Sequence, residues 1–263
     1  MRKSAKIRQV RWGNAHSVGR GIFAGFILLL AAALLLTIYW IIRSGTGGFR
    51  AAAETVPLTK SVVIDPGHGG PDGGAVGYDG TVEKEINLSL SLKLADFFRA
   101  SGYTVILTRS DDRSIHDAGS DTIREMKSSD LHNRLKIENS HPQSLFISIH
   151  QNKFGQSQYS GTQVFYSPKN PSSKVLAECL QESVRSAIQP DNERAVKQAE
   201  KNLFILYYGT PPSVMVECGF LSNPAECEKL KTDDYQSKMA FAIYTGVLRF
   251  FSGAEGSSSI SFQ

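Results

Sequence analysis

Cysteine is scarce in this chain: three occur in 263 residues, and none stands in a CxxC or Cys/His zinc spacing. A disulfide-stapled scaffold and a zinc finger are thereby excluded. Cys179, Cys218 and Cys227 leave room for one bridge at most, Cys218 with Cys227, and free buried thiols are the equal alternative. There is no internal repeat, and nothing remains over for a second module. The glycine-rich stretch after Val62 has neither the GxxxxGK[ST] lysine nor the GxGxxG spacing, which disfavours nucleotide binding. The net charge of +4 does not indicate nucleic acid either. Arg2, Lys3, Lys6, Arg8, Arg11 and Arg20 crowd into the first twenty residues with no acid among them, so the remainder of the chain is net negative.

Charge is absent altogether from Gly21 to Ile42, GIFAGFILLLAAALLLTIYWII. At about 1.5 Å per helical residue this run crosses a hydrocarbon core of ~30 Å. The sequence therefore predicts a basic cytoplasmic tail over 1–20 and a transmembrane anchor, an uncleaved signal, over 21–42, with Tyr39 and Trp40 at the outer interface. A cleaved signal that releases a secreted domain is the alternative, but the apolar core of such signals is only about 7 to 15 residues. Either way the rest of the chain is expected outside the cytoplasm. Residues 43–60 read as a linker and 252–263 as a disordered tail.

Between them, residues 61–251 alternate strand and helix patterns. SVVID, YTVILTR, SLFISIH, GTQVFY, NLFILYY and SVMVE read as strands. Helical spacing marks Glu85–Ala100, a segment around Leu131, Leu135 and Ile137, Ser172–Ile188 and Tyr235–Phe251. Ser110–Ser128 shows no apolar period and reads as a loop or lid. The expected fold class is α/β, a single layered domain whose mixed, mostly parallel sheet is flanked by helices, preceded by the one transmembrane helix.

Three apolar strands end in residues that a core would reject. SVVID runs into the loop of His68, SLFISIH ends on His150, and SVMVE ends on Glu217. In open α/β sheets ligands gather beyond the carboxyl ends of strands, so these three are expected to converge. Two imidazoles at one place begin a zinc site, and a catalytic zinc takes a third protein ligand. Glu83 and Glu85, at the head of the first helix, are candidates; about 200° apart, they are not expected to serve together, and spacing does not choose between them. Glu217 is a third possibility, although hydrolysis also needs a carboxylate to move the proton of water. His16, His116, His132 and His141 lie in the tail, polar loops or a helix edge and are read as ordinary surface residues.

DPGHGGPDGGA, EKEINL, Thr108–Arg109, FISIHQN and VECGFLSNPAE, in this order, resemble the motifs of the zinc-dependent N-acetylmuramoyl-L-alanine amidases, the amidase 3 family of peptidoglycan hydrolases. The likeness spans about Ser61 to Phe251. It implies one Zn2+ per chain held by His68, Glu83 and His150, Glu217 as catalytic residue, and a substrate contact at Asn152. A single catalytic domain behind an N-terminal membrane segment resembles the branch that acts in the spore cortex of endospore formers. That resemblance implies peptidoglycan as substrate, a possible activating protein, and a downstream deacetylase that forms muramic δ-lactam. The rival readings are a peptidoglycan-binding protein without activity, which has no need of Glu217, and a zinc peptidase acting on protein.

Overall fold

The computed structural model describes residues 29–37, 39 and 59–258. Residues 29–37 are helical, while most of the expected anchor over 21–42, the basic tail over 1–20 and most of the linker lie outside the described residues. Among the described residues, no helix is long and apolar enough to cross a membrane.

Six strands form one sheet. They are β1 (Ser61–Pro66), β2 (Thr104–Leu107), β3 (Leu145–Asn152), β4 (Gln163–Tyr166), β5 (Lys197–Gln198) and β6 (Ser213–Phe220), in the order β2-β1-β3-β6-β4-β5. All neighbours are parallel except β4 and β6. The helices are α1 (Glu83–Ala100), α2 (Ile123–Asn139), α3 (Ser172–Ile188), α4 (Phe204–Tyr208), α5 (Pro224–Leu230) and α6 (Asp233–Ser258). The expected α/β fold with a mixed, mostly parallel sheet is thus observed.

Because strand side chains alternate, each strand sends one set to each face. Val62, Ile64, Leu145, Ile147, Ile149, Val214 and Val216 face α1, α3 and α6, where they join Leu90, Leu94, Phe98, Leu176, Leu180, Met239 and Ile243 in the main core. The opposite face is much less apolar. Val63 and Phe146 pack with Ile205 there, and Met215 with Leu206. Beside them lies a fully buried Asp65, which accepts from Thr108 Oγ1 at 2.6 Å and Ser148 Oγ at 2.7 Å and pairs with Arg134 Nη1 at 2.6 Å.

Helix α2 supplies that arginine, and it departs from expectation. It starts at Ile123, inside the stretch read as a loop, because Thr122 and Glu125 form a capping box. Its buried residues are Asp130, Arg134 and Glu138, while Leu131 is exposed. NLFILYY is not a strand: Phe204–Tyr208 is a short helix, since a brief apolar run carries no period that separates the two. The last helix continues to Ser258, beyond the expected start of a disordered tail at 252; a packed helix propagates at low cost, and Ser252 Oγ returns to the Leu248 carbonyl. The three cysteines are free thiols.

Two stability predictions follow from the polar face. Arg134→Met strands Asp65 without its cation and is expected to cost about 3–5 kcal/mol, measurable by denaturant unfolding; Arg134→Met with Asp65→Asn should recover part of the loss. Glu138 is wholly buried with Ser213 Oγ as its one donor, and burial, reinforced by the charge of Asp65, pushes its carboxyl up to about 8 despite that hydrogen bond. Between its ordinary pKa and about 8 the unfolded chain releases a proton that the fold retains, so the parent loses stability as pH rises through that window, by about 1.4 kcal/mol per unit at most. Glu138→Gln should therefore melt progressively higher than the parent from pH 5 to pH 8; a constant difference in melting temperature would sink this assignment.

Candidate active site

The site is built at the carboxyl end of β1, β3 and β6. After Pro66 the chain turns through Gly67, His68, Gly69 and Gly70, and His68 itself takes a left-handed backbone conformation with φ of 64°. Such a conformation costs a non-glycine residue on the order of 1–3 kcal/mol and persists only where its surroundings enforce it. Two buried arginines do so. Arg109 donates to the carbonyls of Pro66, Gly67 and Lys84, and Arg134 donates to those of Pro66 and His68. Gly67 has no space for a side chain, because a Cβ there would collide with the His150 ring.

The convergence expected from the strand ends is observed. The His68 and His150 rings stand edge to face with centroids 4.9 Å apart. Glu83, at the first turn of α1, reaches both, with Oε2 at 3.2 Å from His68 Nε2 and Oε1 at 2.9 Å from His150 Nδ1. Glu85 is exposed on the other side of the helix. Of the two glutamates that helical spacing left open, Glu83 is the one buried beside both imidazoles. Glu83 also accepts from the backbone amides of Ala75 at 2.8 Å and Gln151 at 3.0 Å, and from Asn87 Nδ2 at 3.1 Å. Burial alone would raise its pKa; the bonds to His150 and His68 overcome this and hold it well below the usual carboxylate range.

One atom each from His68, Glu83 and His150 lie within 4.8 Å of one another, so the three form a group that could hold a metal ion. The surroundings fit that use. His68 Nδ1 is engaged by Asp72 Oδ2 at 2.9 Å, which leaves Nε2 directed at the cluster, and Asp72 is braced from its other oxygen by Lys127 Nζ at 2.7 Å. Burial opposes protonation of His68, but its bonds to Asp72 and Glu83 prevail and raise its pKa to about 9.

Glu217 pairs in register with His150 across β3 and β6. Its Oε2 is sealed from solvent and has no hydrogen-bond partner among the described residues. Burial pushes its carboxyl up to about 7, against the pull of His150 and with the added repulsion of Glu83. Asn152 ends β3 opposite Phe220, and its side chain makes no hydrogen bond among the described residues. His116, His132 and His141 bond locally to Ser114, Ser128 and Ile137, away from the cluster. Sequence reasoning did not identify Asp72, Asn87, Gln151 or Arg134. Asp72 was the most accessible of these, four residues after His68 in the same glycine loop; Arg134 is one charge among many on α2 and carries no local signal.

Residues 62–249 match the family described as N-acetylmuramoyl-L-alanine amidase. The germination-specific N-acetylmuramoyl-L-alanine amidase of Bacillus subtilis (strain 168) is 35% identical over 198 residues, covering 75% of this chain and 82% of that protein. Among solved structures, the CwlD amidase from Clostridioides difficile, in complex with the GerS lipoprotein, is similar with a TM-score of 0.72 and 41% identity, covering 74% of this chain and all of that one. The catalytic domain of CwlV from Bacillus (Paenibacillus) polymyxa var. colistinus is similar with a TM-score of 0.61 and 30% identity, over 74% of this chain and 99% of that one. With the family match extending over most of the folded residues, the chain belongs to the N-acetylmuramoyl-L-alanine amidases and is a peptidoglycan-cleaving hydrolase.

Proposed function

We propose that His68, Glu83 and His150 hold one zinc ion, and that Glu217 moves the proton during hydrolysis of the amide between the lactyl group of N-acetylmuramic acid and L-alanine. The observation that carries this reading is the unpartnered, solvent-sealed Oε2 of Glu217, one strand away from a cluster of two imidazoles and one carboxylate. Glu138 also keeps a buried oxygen without a donor, at a cost of about 1–3 kcal/mol each, but only Glu217 does so in register with His150, where a free acceptor can take a proton. Two neutral nitrogens and one anionic oxygen are a donor set suited to a catalytic zinc.

A zinc ion bound there would supply Lewis-acid activation of the attacking water and of the scissile carbonyl. The chain's own residues do the rest. Asp72 fixes the ring of His68, while Gln151 and Asn87 fix Glu83, so that the ligand set is assembled before substrate arrives. Glu217 accepts the proton of water as attack begins and returns one to the departing nitrogen of L-alanine. Asn152, which closes β3 two residues after His150, would contact substrate; its side-chain amide, unengaged among the described residues, supports that reading.

The wider setting rests on similarity. Peptidoglycan lies outside the cytoplasmic membrane, and the apolar run over 21–42 is read as the anchor that keeps the catalytic domain there, with cleavage and secretion as the alternative. Likeness to a germination-specific amidase supports a role in spore-cortex maturation and germination, including supply of substrate to a deacetylase that completes muramic δ-lactam. Likeness to an amidase bound to a lipoprotein supports an activating partner for this chain also.

The decisive experiment treats purified peptidoglycan with the zinc-loaded full chain and identifies released material by mass spectrometry. Free stem peptides beginning with L-alanine are expected. Glu217→Gln should keep zinc and lose about 10²–10⁴-fold in rate; loss of zinc together with rate would overturn its role. His68→Ala and His150→Ala should abolish zinc binding, and full metal occupancy in either variant would remove it from the ligand set. Asp72→Asn should weaken zinc about 10–100-fold in a chelator competition while leaving the fold intact.

A further inference from the structure

Arg194 is a cation that no carboxylate among the described residues meets directly, although its charge is felt by Glu226. It forms no ion pair with any carboxylate among the described residues, yet it is held firmly. Its guanidinium carbon stands 4.5 Å from the centre of the Phe220 ring, Nε donates to the Ser160 carbonyl at 2.8 Å, and Nη1 donates to Gln163 Oε1 at 3.1 Å. Its Nη2 donates to nothing among the described residues. The nearby Glu226 is occupied: its two oxygens accept from the backbone amides of Gly161 and Phe220, both at 2.8 Å.

The position of this cation is set by the sheet. Gln163 on β4 lies directly opposite Glu217 on antiparallel β6, so their side chains share one face. Phe220 lies opposite Asn152. Gln163, whose Oε1 accepts from Arg194 Nη1, thereby ties the guanidinium to the strand position that faces Glu217. Arg194 also lines a separate cavity of about 610 Å³ with Gly161, Asp191, Glu193, Asn223 and Glu226, to which none of His68, Glu83, His150 and Glu217 contributes.

The substrate supplies what is missing. In its glycan the lactyl carboxyl of muramic acid is consumed in the very amide that is cut, so the sugar rings next to that bond carry no anion. The stem peptide beyond L-alanine carries free carboxylates, the first of them one residue on. A peptide residue spans about 3.4 Å when extended, so a carboxylate on the second or third residue falls within reach of Arg194 when the amide lies at Glu217.

The geometry points to Arg194 as the subsite that binds a stem-peptide carboxylate and thereby directs the peptide toward β4 and the glycan away from it. This rests on Glu217 marking the reacting end of the site. A guanidinium held on a ring face and tied at two nitrogens is pre-oriented, and its remaining donors suit a carboxylate.

The test compares zinc-loaded full-length enzyme on two muropeptides that differ only in whether the stem-peptide carboxylates are free or amidated. The parent should favour the free acid about tenfold in kcat/KM, and Arg194→Met should erase that ratio while still cutting the amidated form. A general loosening of the loop would lower both substrates equally and leave the ratio intact, so a preserved preference in Arg194→Met overturns the inference. So does a parent that treats both substrates alike. If the methionine variant does not fold, Arg194→Gln, which keeps a hydrogen-bond donor without the charge, is read in the same way. If the zinc-loaded parent alone is idle on both forms, binding is read instead: the free acid should bind about tenfold more tightly than the amidated form, and equal affinity overturns the inference. Amidation at one position at a time then identifies which residue of the stem pairs with Arg194.

Discussion

The site depends on three consecutive carbonyl groups at the end of β1 and the two guanidinium groups that hold them. Pro66, Gly67 and His68 all present their carbonyls to Arg109 or Arg134, and this fixes the turn that places His68 in a left-handed conformation. Without such donors the strained turn would relax and the imidazole would leave Glu83 and His150. Both arginines are almost fully buried, which is tolerable because their hydrogen-bonding capacity is met by backbone oxygens, the carbonyl of Asp111 among them, and by the carboxylates of Asp65 and Asp130. Burying charge here is weak evidence for stability in itself. Its clearer effect is geometric, since planar donors admit few alternative loop conformations.

The sheet separates this requirement from the requirement to fold. One face packs aliphatic and aromatic side chains against α1, α3 and α6 and carries the main core. Asp65, Ser148, His150 and Glu217 emerge on the other, where strand alternation lets polar residues accumulate without interrupting the core. Helix α2 covers part of that face with Asp130, Arg134 and Glu138 turned inward. Its apolar residues could not serve as a guide to its orientation, because its buried stripe is the charged one.

That contrast explains what the sequence disclosed. A histidine or glutamate closing an apolar strand is visible in one dimension, because the alternation that precedes it defines the end of the strand; His150 and Glu217 were legible for this reason, and His68 by its glycine loop. Glu83 and Glu85 were not separable by spacing, since both fall in the first turn of α1; only the three-dimensional arrangement makes one buried and the other exposed. The supporting groups were obscure for a different reason. Arg134 reaches Asp65 across 69 positions; Asp65 visibly closes the apolar SVVID, but nothing local to Arg134 marks it as the partner. Phe204–Tyr208 failed as a strand because the short β5 edge already takes the place beside β4, leaving that apolar run to pack as a helix on the polar face.

Glu138 and Glu217 show how environment divides one residue type between two uses. Both are carboxyl groups with an unpartnered oxygen, raised in pKa by burial. They belong to opposite ends of β6: Glu138 meets Ser213 at its beginning, and Glu217 follows four residues later, roughly 13 Å along the strand. Nothing near Glu138 favours its charged form beyond one hydroxyl, while the charge of Asp65 disfavours it, so it stays a neutral component of the interior at moderate pH. Glu217 lies beside two imidazoles that draw it back toward ionisation, and its value of about 7 leaves it able to accept or release a proton under neutral conditions. A cation held by His68, Glu83 and His150 would add to that pull. The same burial therefore yields an inert acid at one end of β6 and, at the other, an acid that can exchange its proton near neutral pH beside His68, Glu83 and His150, as the proposed role of Glu217 requires.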